Sequence, residues 1–164
     1  MRQSSCMEFA SIQTRFCAYL IDTAILLVPT LIIVLLLNHL PLILHLSYIC
    51  IHCSYFTYFL SSKRQATPGQ QLMHIYTVTL NNSKIDIILA FDRSLSQFFL
   101  PVLNSATMTL IDYLSHTNVL VSILNILKVI IILLTLIWYL ITCLSNKKQA
   151  LHDIIFDTFV IKKR

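Results

Sequence analysis

The stretch RFCAYLIDTAILLVPTLIIVLLL, Arg15 to Leu37, reads as a membrane-spanning helix with one residue out of place. About 20 helical residues cross a hydrocarbon layer roughly 30 Å thick. This run has that length, and it carries one acid, Asp22. A carboxylate in hydrocarbon costs about 3 kcal/mol on insertion scales, so an intramembrane Asp marks a functional or structural site with a partner.

The rest of the chain agrees with a membrane setting. Of 164 residues 57% are hydrophobic and 12% charged, against about 45–50% and 25% for a soluble domain. The lipid bilayer is therefore the first partner expected. A net charge of +5 does not point to nucleic acid, because the Lys and Arg sit between apolar runs and at the C-terminus rather than along one face. Cys17, Cys50, Cys53 and Cys143 lie within apolar runs, where thiols behave as small hydrophobes and imply no disulfide framework. A cleaved leader is not expected, since Glu8 precedes the long first run and NHLPLI follows it.

Four stretches approach spanning length: 16–37, 42–61, 95–114 and 119–144. The third is interrupted by Gln97, Pro101, Asn104 and Asp112, and taken alone it would also suit a helix lying in the interface. Charge decides between the two. Lys63, Arg64, Arg93, Lys147, Lys148 and Lys162-Lys163-Arg164 fall in segments that the positive-inside rule assigns to the cytoplasm, while NHLPL and SHTN carry no Lys or Arg. That pattern requires an even number of crossings. Lys128 lies inside the fourth run, where its stem reaches toward the outer surface. The expected fold is all-α: a four-helix transmembrane bundle in one domain, 1–164, with a cytoplasmic insert (62–93) and tail (145–164). Within the insert, HIYTVTLNNSKIDIIL reads as a β-hairpin turning at Asn81-Asn82-Ser83. TFVIKK in the tail is a further strand able to pair with it. The single Gly, in TPGQ, reads as a turn residue.

Two constellations stand out. Arg15 and Asp22 share a helix face but lie about 10 Å apart along the axis, too far for a direct pair. Arg15 at the boundary suits an anchor to lipid phosphates. Asp22 suits either a functional acid or a hydrogen bond between helices. On the second helix His45, Tyr48, His52, Tyr55 and Phe59 follow steps of three and four, which puts them on one polar face. Tyr55 lies at the depth of Asp22, with His52 a turn deeper, so the face forms either a proton or cation track or the hydrogen-bonding seam of a helix hairpin. CIHC, with Cys50 and Cys53, lacks the four ligands of a zinc cage, and no metal site is expected. There is no phosphate loop, HExxH or nucleophile elbow, so neither a catalytic residue nor a cofactor is expected.

Taken together, these segments resemble the RDD family of small bacterial membrane proteins, named for one arginine and two aspartates. TRFCAYLIDTAIL is similar to the opening R-x-x-A-x-x-x-D, with Arg15, Ala18 and Asp22 in place. QATPGQQLMHIYTV resembles the loop motif, with Thr67 and Gly69; DRSLSQFFLP supplies Arg93 just before the third helix; and QALHDIIFDTFVI resembles the closing motif, with Leu151, His152, Asp153, Thr158 and Val160. Gln70 replaces a usual Lys, and Phe156-Asp157 replaces Ala-Gly. The resemblance implies a multi-spanning protein of the bacterial inner membrane, with transport the usual suggestion for its role.

The residues allow two functions. One is movement of protons or monovalent cations through Asp22 and the His45-Tyr48-His52-Tyr55 face, in a homo-oligomer because four helices barely enclose a path. The other is a non-transporting interaction or assembly protein whose polar residues lock helices together. Arg15, Arg93 and Asp153 should meet at one membrane face, where a bidentate pair would staple insert and tail beneath the bundle.

Overall fold

A computed structural model describes residues 8–81, 83–114, 118–145 and 148–162. Four long helices dominate: α1 (Ile12–Leu37), α2 (Pro41–Ser61), α4 (Ile87–Tyr113) and α5 (Asn118–Leu144). Two one-turn helices, α3 (Pro68–Leu72) and α6 (Leu151–Ile155), and two strands, β1 (Ile75–Thr79) and β2 (Thr158–Lys162), form a cap at one end. Among the described residues three helices are long and apolar enough to cross a membrane: α1, α2 and the 119–142 portion of α5. α4 is as long as α5 but is not among them, because its apolar residues are interleaved with polar ones.

Each start has a local cause. Ser11 caps α1, its hydroxyl accepting from the Thr14 N–H at 3.1 Å, so the helix begins one turn before Phe16 and carries Arg15 within it. Pro41 opens α2, at a position where its missing N–H costs nothing. Asp86 caps α4 by accepting from the Leu89 N–H at 2.9 Å. That cap corrects two expectations. The residues that were to form the hairpin's second arm, Ile87 to Leu89, are the first turn of α4, and Arg93 lies inside the helix instead of ahead of it. β1 pairs antiparallel with β2, Ile75 opposite Lys162 and Thr79 opposite Thr158. Residues 8–10 run along the other edge of β2, with the Ala10 N–H donating to the Val160 carbonyl at 3.0 Å and the Lys162 N–H to that of Glu8 at 2.9 Å. Asn82 of the anticipated turn, and Lys147, Lys163 and Arg164 of the charge pattern, lie outside the described residues.

α4 runs antiparallel along the full depth of α2. The His52 ring meets Phe98 at 5.1 Å between centroids, and seven residues on in each helix His45 Nε2 lies 2.7 Å from the Ser105 hydroxyl. Leu26, Cys53, Phe56, Leu60, Ile85, Ala90 and Phe98 form the main core between α1, α2 and α4. Elsewhere α1 and α5 turn large apolar side chains outward, among them Leu27, Leu31, Leu35, Ile126, Leu133 and Leu136. An apolar surface of that extent marks contact with lipid or protein.

Candidate functional site

At the cap end Asp22 sits in a socket made by three elements. Its Oδ1 accepts from the Tyr55 hydroxyl and from the Gly69 N–H, both at 2.8 Å, and its Oδ2 accepts from the Thr67 hydroxyl at 2.5 Å. All three partners donate, and the side chain is buried. The hydrogen bonds satisfy a group that would otherwise be penalised in an apolar interior. Of the two partners expected from depth, Tyr55 and His52, Tyr55 is the one that bonds it. The other two donors come from the insert, which sends α3 against α1. Thr67 and Gln70 cap that turn reciprocally: the Gln70 N–H donates to the Thr67 hydroxyl at 3.2 Å, and the Thr67 N–H to Gln70 Oε1 at 3.1 Å. Gly69 is helical, not a turn glycine, and close approach explains it. A Cβ there would collide with the Ala18 carbonyl and stand 2.9 Å from the Asp22 carboxylate.

Next to this socket Asp153 joins both arginines. Arg15 Nη1 donates to Oδ2 at 2.7 Å, while Arg93 donates to Oδ1 from Nη2 at 2.6 Å and from Nε at 3.1 Å. The Ala150 N–H adds a bond to Oδ2 at 3.2 Å, and the Thr158 hydroxyl lies between Arg93 Nε and Asp153 Oδ1, 3.3 Å from each. Arg15 Nη2 also reaches the Val160 carbonyl at 3.5 Å. α1, α4, α6 and β2 are thereby tied to one fully buried carboxylate. Burial by itself would raise the Asp153 pKa, but the charges around it hold it well below the usual carboxylate range. His152 is pushed the other way. Burial first, then the two arginines, lower its pKa to about 4 against the pull of Asp153. The imidazole is thus neutral at neutral pH, which leaves the guanidinium groups as the charges that keep Asp153 ionised. Leu151 opens the short helix that presents both residues.

The remaining polar residues of α2 run away from the cap. His52 is buried but does not reach Asp22. Its Nε2 lies 3.5 Å from the Thr30 hydroxyl, and its ring packs on Tyr48 at 4.1 Å. Toward the far end, His45 Nδ1 lies 2.6 Å from the Pro41 carbonyl and its Nε2 near Ser105 and Thr109. Cys53 is buried and Cys50 exposed, so the two thiols of CIHC do not share a surface.

Two cavities open onto this seam from opposite halves. A cavity of about 480 Å³ at the cap end reaches Asp22, Arg15, Arg93, Gln97 and Trp138. A second, of about 330 Å³, lies around Thr30, His45, Tyr48 and Ser105. Between them stand Leu26, His52, Phe56 and Phe98. Several partners were hidden from sequence reasoning. Thr30, Ser105 and Thr109 carry no local signal. α3, in contrast, was announced by Thr67-Pro68 followed by Gln70, the pattern of a capped helix start.

The sequence model of the RDD family matches residues 9–157, which include Arg15, Asp22 and Asp153. No curated protein and no solved structure matches the chain.

Proposed function

The chain belongs to the RDD family, and we propose that it is a multi-spanning protein of the bacterial inner membrane that moves protons along the seam between α1, α2 and α4. One observation carries the reading: two cavities enter the seam from opposite halves, one reaching Asp22 and the other His45 and Tyr48, with His52 in the layer between. Asp22 and Thr30 are eight residues apart on α1, so the two mouths are separated by roughly 12 Å along the helix. Groups able to pass a proton lie on both sides of that layer. Tyr55 bonds Asp22 on the cap side, while His52 contacts Thr30 and Tyr48 on the far side. Asp22, Tyr55, His52 and Tyr48 are groups that hand on protons through hydrogen bonds, and they favour protons over monovalent metal cations. No enzymatic step and no cofactor enters this reading. α4 serves as a fourth crossing, supported by its contacts with α2 from Phe98 to Ser105, and both termini lie on the cytoplasmic face.

Reconstitution tests it. Liposomes holding the purified protein should dissipate an imposed pH gradient, and Asp22→Asn or His52→Phe should slow that at least tenfold with helical content unchanged. Wild-type rates in both folded variants, or none above empty liposomes for the unaltered protein, would reject the path. The second reading, a non-transporting assembly protein, is favoured by the three donors that commit Asp22 to holding α3 against α1.

A further inference from the structure

The cap-end cavity has a chemistry that the proton path does not use. Among the described residues α1 packs mainly on α2 and α3, and α5 mainly on α4 and α6, which leaves a gap where α1 and α5 face each other. The cavity occupies that gap. Phe16 and Tyr19 of α1 and Trp138 of α5 line its flank, and Phe16 and Tyr19 are exposed, so the gap opens sideways between helices apolar enough to lie in a membrane. At its polar end Arg15 and Arg93 share the one carboxylate of Asp153. Asp22 lines the same cavity away from that end, seven residues from Arg15 and about 10 Å from it along the axis of α1. His152 is neutral at neutral pH. Among the described residues the two guanidinium groups therefore exceed the one carboxylate at the arginine end by one charge, with Asp22 the acid at the other end of the cavity. Arg15 Nε and His152 Nδ1, both buried, have no hydrogen-bond partner there.

The geometry points to an anionic phospholipid held in this gap, its phosphate against Arg15 and Arg93 and an acyl chain lying along Phe16, Tyr19 and Trp138. A guanidinium binds phosphate oxygens through directed, charge-assisted bonds, and basic pockets between membrane helices take acidic headgroups in this way. The excess charge selects an acidic lipid over a zwitterionic one. The lateral opening selects a lipid over a free anion. This inference does not rest on proton movement and survives its failure.

Gln97 lines the cavity beside the arginines but makes none of the bonds that hold Asp153. Its replacement therefore changes the cavity's charge while sparing the staple. The purified full chain in a neutral detergent is titrated with phosphatidylglycerol or phosphatidylcholine, and bound lipid is counted by native mass spectrometry. Phosphatidylglycerol should bind at least tenfold tighter than phosphatidylcholine. Gln97→Glu should erase that preference and Gln97→Lys keep it. Thr142→Trp, which fills the cavity from α5, should weaken binding of both lipids, and it decides the matter if Gln97→Glu does not fold. Equal affinity for the two lipids, or an unchanged preference in folded Gln97→Glu, would overturn the assignment. So would displacement of the lipid by equimolar inorganic phosphate, which would make the ligand a free anion.

Discussion

Among single residues, those that carry the cap differ in how much of their role the sequence discloses. Asp22 is conspicuous because it interrupts an apolar run, and its depth along α1 narrows its partner to Tyr55 or His52, of which Tyr55 bonds it. Gly69 is conspicuous for being the lone glycine of the chain, yet its reason, the closeness of α3 to Ala18 and Asp22, exists only once α3 is folded against α1. Asp157 takes a left-handed φ of 48°, a conformation that Asp tolerates better than most residues. His152 carries the prediction at this scale. Its folded pKa of about 4 lies below the ordinary 6.5, so the unfolded chain takes up the proton first. The stability that neutral His152 supports is complete above about pH 6.5 and is lost as the pH falls from there to about 4, on the order of 3 kcal/mol in all. Asp153, held ionised in the fold, adds a further loss at still lower pH. Thermal unfolding followed between pH 7.5 and 4.5 should show a falling midpoint for the unaltered chain and a much flatter profile for His152→Phe. A flat profile in the unaltered chain would show that protonation of His152 is not resisted by the fold.

At the level of elements, strong local signals were legible and tertiary ones were not. Apolar length finds α1 and α2, and the β-branched runs IYTVT and TFVIK find β1, β2 and their pairing. The hairpin fails because IDIIL has the composition of a strand while Asp86 makes it a helix start; a cap of one residue outweighs a strand propensity worth about 1 kcal/mol at most. Asp153 is where these elements converge, since Arg15, Arg93, Ala150 and Thr158 all lie within hydrogen-bonding reach of its carboxylate. Asp153→Ala would leave two buried guanidinium groups facing each other with no acid between them. The expected cost is about 3–5 kcal/mol, as for breaking other buried pairs, and it should appear as release of α6 and β2. Limited proteolysis of the full chain in detergent measures this through the rate of cleavage after residue 148. Equal rates in the two proteins would mean that strand pairing alone holds the tail.

Across the whole molecule, the proposed four crossings draw their support from the cap and not from hydropathy. Among the described residues three helices are apolar enough to qualify as spans, and three crossings would put the two ends of the chain on opposite faces. The contacts oppose that. Residues 8–10 hydrogen-bond β2, and Arg15 near the start of α1 shares Asp153 with Arg93 near the start of α4. A strand that follows α5 pairs with one that precedes α4. The start of α1, the end of α2, the start of α4 and the end of α5 therefore meet at one end, which an even number of crossings allows. α4 is less apolar than the other long helices, and much of its polar content faces protein: Arg93 toward Asp153, Ser94 onto its own Ala90 carbonyl at 2.6 Å, and Ser105 toward His45. Average hydropathy does not distinguish a helix that is polar toward its bundle from one that is polar toward water. The proposed fourth crossing is tested by placing single cysteines, in a background free of the native ones, at Asn38 in the α1–α2 connection and at Lys84 ahead of α4, then labelling intact cells with a thiol reagent that does not cross the membrane. A further cysteine added after Arg164 should match the behaviour of Lys84→Cys and oppose that of Asn38→Cys. If the C-terminal cysteine is labelled together with Asn38→Cys, α4 does not cross, and the contacts between the chain's two ends cannot form within one membrane-inserted copy.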